Sequence, residues 1–266
     1  QAIQETLRDM PGLVELEKLN VGKKPLAGIR ITGCVSITYE TAAFILLLKK
    51  MGALVRWCPD NKFASIDAAC AYLASCEIPV FAKRGMTEKE LFWCFKQVVK
   101  FKCHVGPAII IDDGGDITRY LHKNKPSIYN GVLGTGEQTT CGITEAYKLK
   151  RQGVLLTAIL NVNESVSKQK FDNIYGSRES ILAGIQNSLN IQIAGKRIIV
   201  FGFGETSRGC AMALRSLGAY VAVVEIDPIM AMMASMEGYE LLTKEEACRR
   251  GDIFITATGC IKTVDG

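Results

Sequence analysis

The chain has 266 residues, of which 48% are hydrophobic and 22% charged, with a formal net charge of +5. That length holds two α/β lobes with well-buried cores, and the composition is that of a globular protein. Lys and Arg are scattered without a long basic run, which argues against nucleic-acid binding, and no apolar stretch reaches the ~20 residues that a bilayer span needs. Residues 1–4 lack the basic-then-apolar start of a secretion signal, and no initiator Met is present, so the chain reads as a candidate fragment. Of ten cysteines, Cys34, Cys70, Cys94, Cys210 and Cys248 fall within predicted strands or helices, and no CxxC pair occurs. Such thiols are expected to be reduced, apolar fillers of a cytoplasmic protein. His104 and His122 are the only histidines, neither is spaced like a metal ligand, and no metal site is expected.

In chain order, residues 29–32, 54–57, 80–82, 108–111 and 155–160 read as short apolar strands. They alternate with helical patterns over 40–51, 65–74, 88–100, 116–122 and 137–150. That alternation implies a mostly parallel, doubly wound sheet, which binds ligands outside the carboxyl ends of its strands. The polar clusters fall there: Thr38 to Thr41, Asp112 to Asp116, Glu137 to Thr140, and Asn161 to Asn173. A second lobe opens with a helix over 178–189 and has strands over 197–201, 221–224, 239–241 and 253–256. Four strands precede Gly266, where a complete dinucleotide fold has six, so this lobe is expected to be a partial one.

The apolar strand at 197–201 runs into Gly202-Phe203-Gly204-Glu205-Thr206-Ser207-Arg208-Gly209, followed by an Ala/Leu-rich helical pattern from about Cys210 to Leu217. Strand, glycine turn and helix start make a pyrophosphate cradle. Gly202 allows the tight turn, and Gly204 lets the backbone approach the phosphates. A second strand ends in Glu225, where an acid bonds both ribose hydroxyls and disfavours a 2′-phosphate, so NAD is preferred to NADP. Ser207 stands where this turn has Gly or Ala, and looser helix–strand packing is expected there.

Two other clusters are ambiguous on their own. Asp112-Asp113-Gly114-Gly115-Asp116 suits sugar hydroxyls or a divalent ion, but equally a helix cap at Asp116 and a glycine turn. Lys168 and Asp172 are four residues apart and share a helix face, for which a surface salt bridge is the simpler reading.

Their combination is more specific. IDDGGD at 111–116, NVNESVSKQKFDNIYGSRES at 161–180, GFGETSRG at 202–209 and EIDPIMAMMASMEGYE at 225–240 occur in this order, with MPGL at 10–13, KPLAG at 24–28 and LFWC at 91–94. Together they resemble the NAD-dependent S-adenosylhomocysteine hydrolase (adenosylhomocysteinase) family over residues 9–259. The resemblance implies two doubly wound parallel-sheet lobes: a substrate-binding domain over 1–172 and an incomplete NAD-binding Rossmann domain over 173–266. It also implies reversible oxidation of the substrate ribose by bound NAD, loss of homocysteine and addition of water. Asp113, Lys168 and Asp172 correspond to residues that hold or deprotonate the ribose, with the lysine as a base. Thr38, Glu40 and Thr41 match the adenine end, and Gln138 a ribose position. Thr139, Thr140, Asn173, Gly202, Gly204, Glu205, Thr206, Ser207 and Glu225 match the NAD side. The implied ligands are S-adenosylhomocysteine or adenosine, in a homo- or hetero-oligomer with family members.

Against that pattern, Ser36 replaces a histidine, Gln138 a glutamate, Ile66 a glutamine, Cys141 a threonine, Met230 an asparagine, Ser177 a cysteine and Ser207 a glycine. These departures gather around one pocket rather than over the surface. An amide at 138 cannot move a proton, and losing one positioned acid–base group costs about 10²–10⁴ in rate. Ile66 is expected to leave the adenine edge short of a hydrogen-bond partner. Family members also run well beyond this length, and their further segment supplies a catalytic histidine and a tail that reaches the cofactor of a neighbouring protomer. If the product ends at Gly266, it is expected not to hydrolyse; a fragment of a longer protein keeps the pocket substitutions. The expected role is an impaired family member of one-carbon metabolism that associates with intact ones. The alternative is an active hydrolase, or one retuned to a related nucleoside.

Overall fold

The computed structural model describes residues 2–102, 105–129, 131–260 and 262–264; His104 lies outside them. The chain divides into two compact units, Gln1–Val162 and Asn163–Gly266.

In the first unit, α1 (Ala2–Thr6) and α2 (Pro11–Leu19) lead into β1 (Arg30–Cys34), α3 (Tyr39–Lys50), β2 (Leu54–Cys58), α4 (Asp67–Ser75) and α5 (Glu88–Val98). Then come β3 (Ile109–Asp112), α6 (Asp116–Asn124), α7 (Pro126–Tyr129), β4 (Gly134–Glu137), α8 (Thr140–Arg151) and β5 (Ile159–Asn161). The strands form one parallel sheet in the order β2-β1-β3-β4-β5. Side-chain alternation along β3 divides its residues between two faces. Ile109 and Ile111 pack with Ala43, Ile45 and Leu73 of α3 and α4, whereas Ile110 packs with Phe95, Ile117 and Leu121 of α5 and α6. The start of α5 is fixed by a capping box, in which Thr87 and Glu90 satisfy each other's backbone amides.

Three expectations are corrected here. Residues 80–82 make only a single bridge, Val80 to Trp57, because Pro79 has no N–H to extend a ladder. The strand expected over 155–160 shortens to Ile159–Asn161, since Leu156 N–H bonds His122 Nε2 and the Thr157 hydroxyl bonds the Val132 carbonyl instead. Most consequentially, Glu137 does not start a helix. It ends β4, a central strand without apolar side chains, and α8 starts only at Thr140 behind its cap Thr139.

The second unit contains α9 (Val166–Gln169), a π-helical turn at Asp172–Gly176, α10 (Ser177–Leu189), β6 (Arg197–Phe201), α11 (Glu205–Ser216), β7 (Tyr220–Val224) and α12 (Pro228–Met236). It ends with β8 (Glu240–Leu241), α13 (Lys244–Arg250) and β9 (Ile253–Thr256). Its sheet is parallel in the order β8-β7-β6-β9. Ile198 and Val200 pack with Ile185 of α10 and Leu214 of α11, while Ile199 and Phe201 face Ala247 of α13. The α11 helix begins at Glu205, ahead of the Ala/Leu-rich pattern near Cys210, because its first turn is polar. Among the described residues, no helix is long and apolar enough to cross a membrane.

Candidate functional site

In the first unit the polar clusters stand at the carboxyl ends of β1, β3, β4 and β5, as a doubly wound sheet requires. After β1, Thr38 caps α3 by accepting from Thr41 N–H at 3.3 Å, and the two hydroxyls lie 3.4 Å apart. Glu40 is exposed in the first turn of that helix. Ser36 donates to Asp60 at 2.8 Å. Ile66 has its side chain packed on the core beneath α3 and α4.

After β3, Asp112 and Asp113 play different parts. Asp112 is wholly buried and accepts from Thr118 N–H at 2.9 Å and Ile117 N–H at 3.4 Å, so it anchors the first turn of α6. Asp116, for which the sequence leaves a helix cap as one of two open readings, is the first residue of α6 and pairs with Arg119. Loss of hydration on burial pushes Asp112 up to about 7, and the nearby Glu137 adds to this while the amide bonds oppose it. Asp113 accepts from the Gln138 side-chain amide at 2.6 Å. Thr139, next after Gln138, caps α8 through Gly142 N–H at 3.4 Å, and Thr140 is the first helical residue. The sheet thus brings together Asp113, Gln138 and Thr139, leaving Thr38, Glu40 and Thr41 on the β1 exit. Sequence reasoning missed the structural importance of Asp112 and Glu137. Their one signal was an acid at a strand end before a turn.

In the second unit, the Lys168 ammonium donates to Asn173 Oδ1 and lies 3.2 Å from Asp172. Asn173 in turn donates to the buried Asn163 at 3.1 Å. The Lys168–Asp172 pair is therefore a corner of a network built on the π-helical turn, rather than an isolated surface bridge. Its lysine side chain is 20% exposed.

The glycine turn leaves β6 at Gly202, whose φ of +90° suits only glycine. A side chain at Gly204 would meet nothing within 4 Å, so the approach to the start of α11 is open. Glu205 and Thr206 open that helix, and Glu205 pairs with Lys170. Glu225 accepts from Phe203 N–H at 2.6 Å, Ile226 N–H at 2.7 Å and Asp227 N–H at 3.0 Å. A carboxylate has about four acceptor directions, so this geometry retains capacity for a ribose hydroxyl. An open glycine-lined helix start with an acid at the next strand end fits a dinucleotide.

Ser207 corrects one expectation. It is wholly buried, and its hydroxyl donates to the Ala257 carbonyl at 3.2 Å, so the helix–strand contact is tied rather than loosened. Met230 packs into the core around α10–α12. An open recess of about 550 Å³, lined by Arg197, Arg215, Tyr220 and Arg250 among others, contains none of the site residues named above.

Among solved structures, the chain is similar to a dipicolinate synthase component from Bacillus halodurans, with 14% identity and a TM-score of 0.51 over 87% of this chain and 75% of that one. A dipicolinate synthase from Bacillus subtilis (14% identity, TM-score 0.44, 87% and 73% covered) and a transhydrogenase from Sinorhizobium meliloti (12%, 0.43, 90% and 71%) are further matches. The first supports the fold alone. Residues 1–129 match the model of S-adenosyl-L-homocysteine hydrolase, and residues 173–266 match that of the S-adenosyl-L-homocysteine hydrolase NAD binding domain. With both halves of that pattern present in order on two parallel α/β units, the chain belongs to the S-adenosyl-L-homocysteine hydrolase family.

Proposed function

We propose that this protein binds NAD and an adenosine-type nucleoside, is impaired as a hydrolase, and acts by associating with catalytically intact family members. The observation that carries this reading is the 2.6 Å hydrogen bond from Gln138 to Asp113. Asp113 corresponds to the family's ribose carboxylate, and position 138 to a glutamate beside it. The amide fills the same volume and orients Asp113, but it neither holds nor releases a proton at neutral pH. Removing one such group costs about 10²–10⁴ in rate. Ser36 points the same way, because its hydroxyl bonded to Asp60 cannot replace an imidazole in proton transfer.

Thr38, Glu40 and Thr41 would hold the base, with Asp113 and Gln138 on the ribose. Gly202, Gly204 and the backbone of Glu205, Thr206 and Ser207 would hold the pyrophosphate of NAD, and Glu225 its ribose. The chemistry supplied by NAD when bound is reversible oxidation of a secondary alcohol.

One observation favours the second reading, an active adenosylhomocysteinase that splits S-adenosylhomocysteine into adenosine and homocysteine. Lys168 is held in place by Asn173 and Asp172, so the positions that correspond to the family's ribose base and its neighbour are kept together. The readings separate on one assay: incubation of the protein with NAD and S-adenosylhomocysteine, with homocysteine detected by a thiol reagent. Thiol release at background supports impairment, and turnover near that of an intact family enzyme overturns it. Co-elution with that enzyme on size exclusion supports association, and strictly separate elution refutes it.

A further inference from the structure

Asp113 and Gln138 sit on different turns, one after β3 and one after β4, yet they approach to 2.6 Å. The residue between those turns is Glu137, the last of β4 and only 1% exposed. Its Oε1 accepts from Gly114 N–H at 3.0 Å in the β3 turn. The same atom accepts from Thr139 N–H at 2.9 Å and the Thr139 hydroxyl at 2.8 Å in the β4 turn. Thr139 Oγ1 shares the Gly114 amide at 2.8 Å, closing a ring of bonds across the two turns. Room for the carboxylate comes from α8: a side chain at Gly142 would place its Cβ 2.1 Å from Glu137 Cδ.

Helix capping does not account for this arrangement. Thr139 itself caps α8, and Asp112 anchors α6. A buried carboxylate that also gathers donors from two separate turns costs desolvation, and burial raises the Glu137 pKa accordingly, with bonds from Thr139, Gly114 and Gly115 opposing. What those bonds specify is the spacing of the turns.

We propose that Glu137 is a positioning residue: its buried carboxylate binds the turn after β3 to the turn after β4 and so fixes Asp113 against Gln138. The ligand-binding consequence rests on the nucleoside-site reading above; the tie itself does not.

The test uses the full chain and three variants: Glu137→Ala, Glu137→Gln and Gly142→Ala. Amide hydrogen exchange reads the tie without ligand, calorimetric titration with adenosine reads its consequence, and thermal melting monitors folding. Glu137→Ala should speed exchange at Gly114 and Thr139 about tenfold or more while leaving the β1 amides unchanged, and should weaken adenosine binding about tenfold. Glu137→Gln keeps an acceptor oxygen and should stay within about threefold of the parent. Gly142→Ala displaces the carboxylate without altering it and should reproduce the Ala phenotype. Unchanged exchange at Gly114 and Thr139 in Glu137→Ala and Gly142→Ala overturns the proposal, as does unchanged adenosine affinity in both. If the parent protein binds no adenosine, the nucleoside reading falls and the tie is decided by exchange alone. If Glu137→Ala does not fold, Gly142→Ala decides it by the same readouts.

Discussion

The Gln138 side-chain amide donates to the Asp113 carboxylate at 2.6 Å. Two acids this close cannot both be ionised and would share one proton, whereas an amide stabilises the anion with no proton exchanged. Gln138→Glu is therefore expected to take up a proton that the parent protein does not hold. Carboxyl carbon resonances followed through a pH titration should show an added group titrating above the ordinary carboxylate range. The same substitution should raise any residual thioether cleavage, by up to about 10²–10⁴ if the missing acid is the defect. An unchanged titration would mean that the two side chains separate once both are acids.

Asp112 gives a stability signature of opposite sense to a salt-bridged aspartate. Burial raises it from 3.8 in the unfolded chain to about 7 in the fold, so the folded protein holds the extra proton between those limits. The associated stabilisation is complete below 3.8 and is lost as pH rises through about 7. Asp112→Asn cannot ionise and keeps an acceptor for the α6 amides. Its unfolding free energy should fall less between these limits than that of the parent, the single-group slope being at most about 1.4 kcal/mol per pH unit. Parallel denaturant-derived profiles for the two proteins would show that Asp112 does not titrate in this window.

The strand that ends in Glu137 shows what the sequence could and could not reveal. Residues 197–201 and 253–256 are strands at the expected boundaries, because continuous apolar runs between helices have few other solutions. Gly134-Thr135-Gly136-Glu137 has no such run. It is a strand because β3 and β5 supply the ladder on both sides and neighbouring side chains cover it. Placing a helix start at Glu137 followed from that silence, and it hid the buried carboxylate. The glycine turn and Glu225 are legible because strand, turn and helix spacing marks them, whereas Asp113 and Gln138 are singled out only by the family resemblance. The bonds from Glu137 to Gly114 and from Ser207 to Ala257 join residues 23 and 50 positions apart, which no local pattern encodes.

Ser207 offers a direct measure of one such long-range bond. It has no exposed surface and donates to Ala257 at 3.2 Å. Ser207→Ala removes the donor but keeps the volume and improves helix propensity by a few tenths of a kcal/mol. The lost bond should outweigh that gain, for a net destabilisation of about 0.5–1 kcal/mol, read as a lower denaturation midpoint at unchanged m value. A higher midpoint would show that the serine is a burden carried in the helix.

Gly209 and Gly184 make a matched pair in which the same substitution should act in opposite directions. At Gly209 in α11, an added Cβ would lie 2.3 Å from the Ile174 carbonyl oxygen and 3.1 Å from its carbon. Ile174 belongs to the π-helical turn that carries Asp172 and Asn173. Helix propensity favours Ala over Gly by about 1 kcal/mol, but that contact falls far inside van der Waals distance and strikes backbone. Overpacking of this kind costs about 1–3 kcal/mol, so Gly209→Ala should lower stability on balance. The turn must move to relieve it, which should also release the Lys168–Asn173–Asn163 bonds and speed exchange of the Asn173 side-chain amide protons. At Gly184 in α10, a Cβ meets nothing within 4 Å, so Gly184→Ala should stabilise by up to about 1 kcal/mol. Denaturant melts of both variants beside the parent check the sign of each, and a stabilising Gly209→Ala would mean that α11 and the turn are not in contact through Ile174.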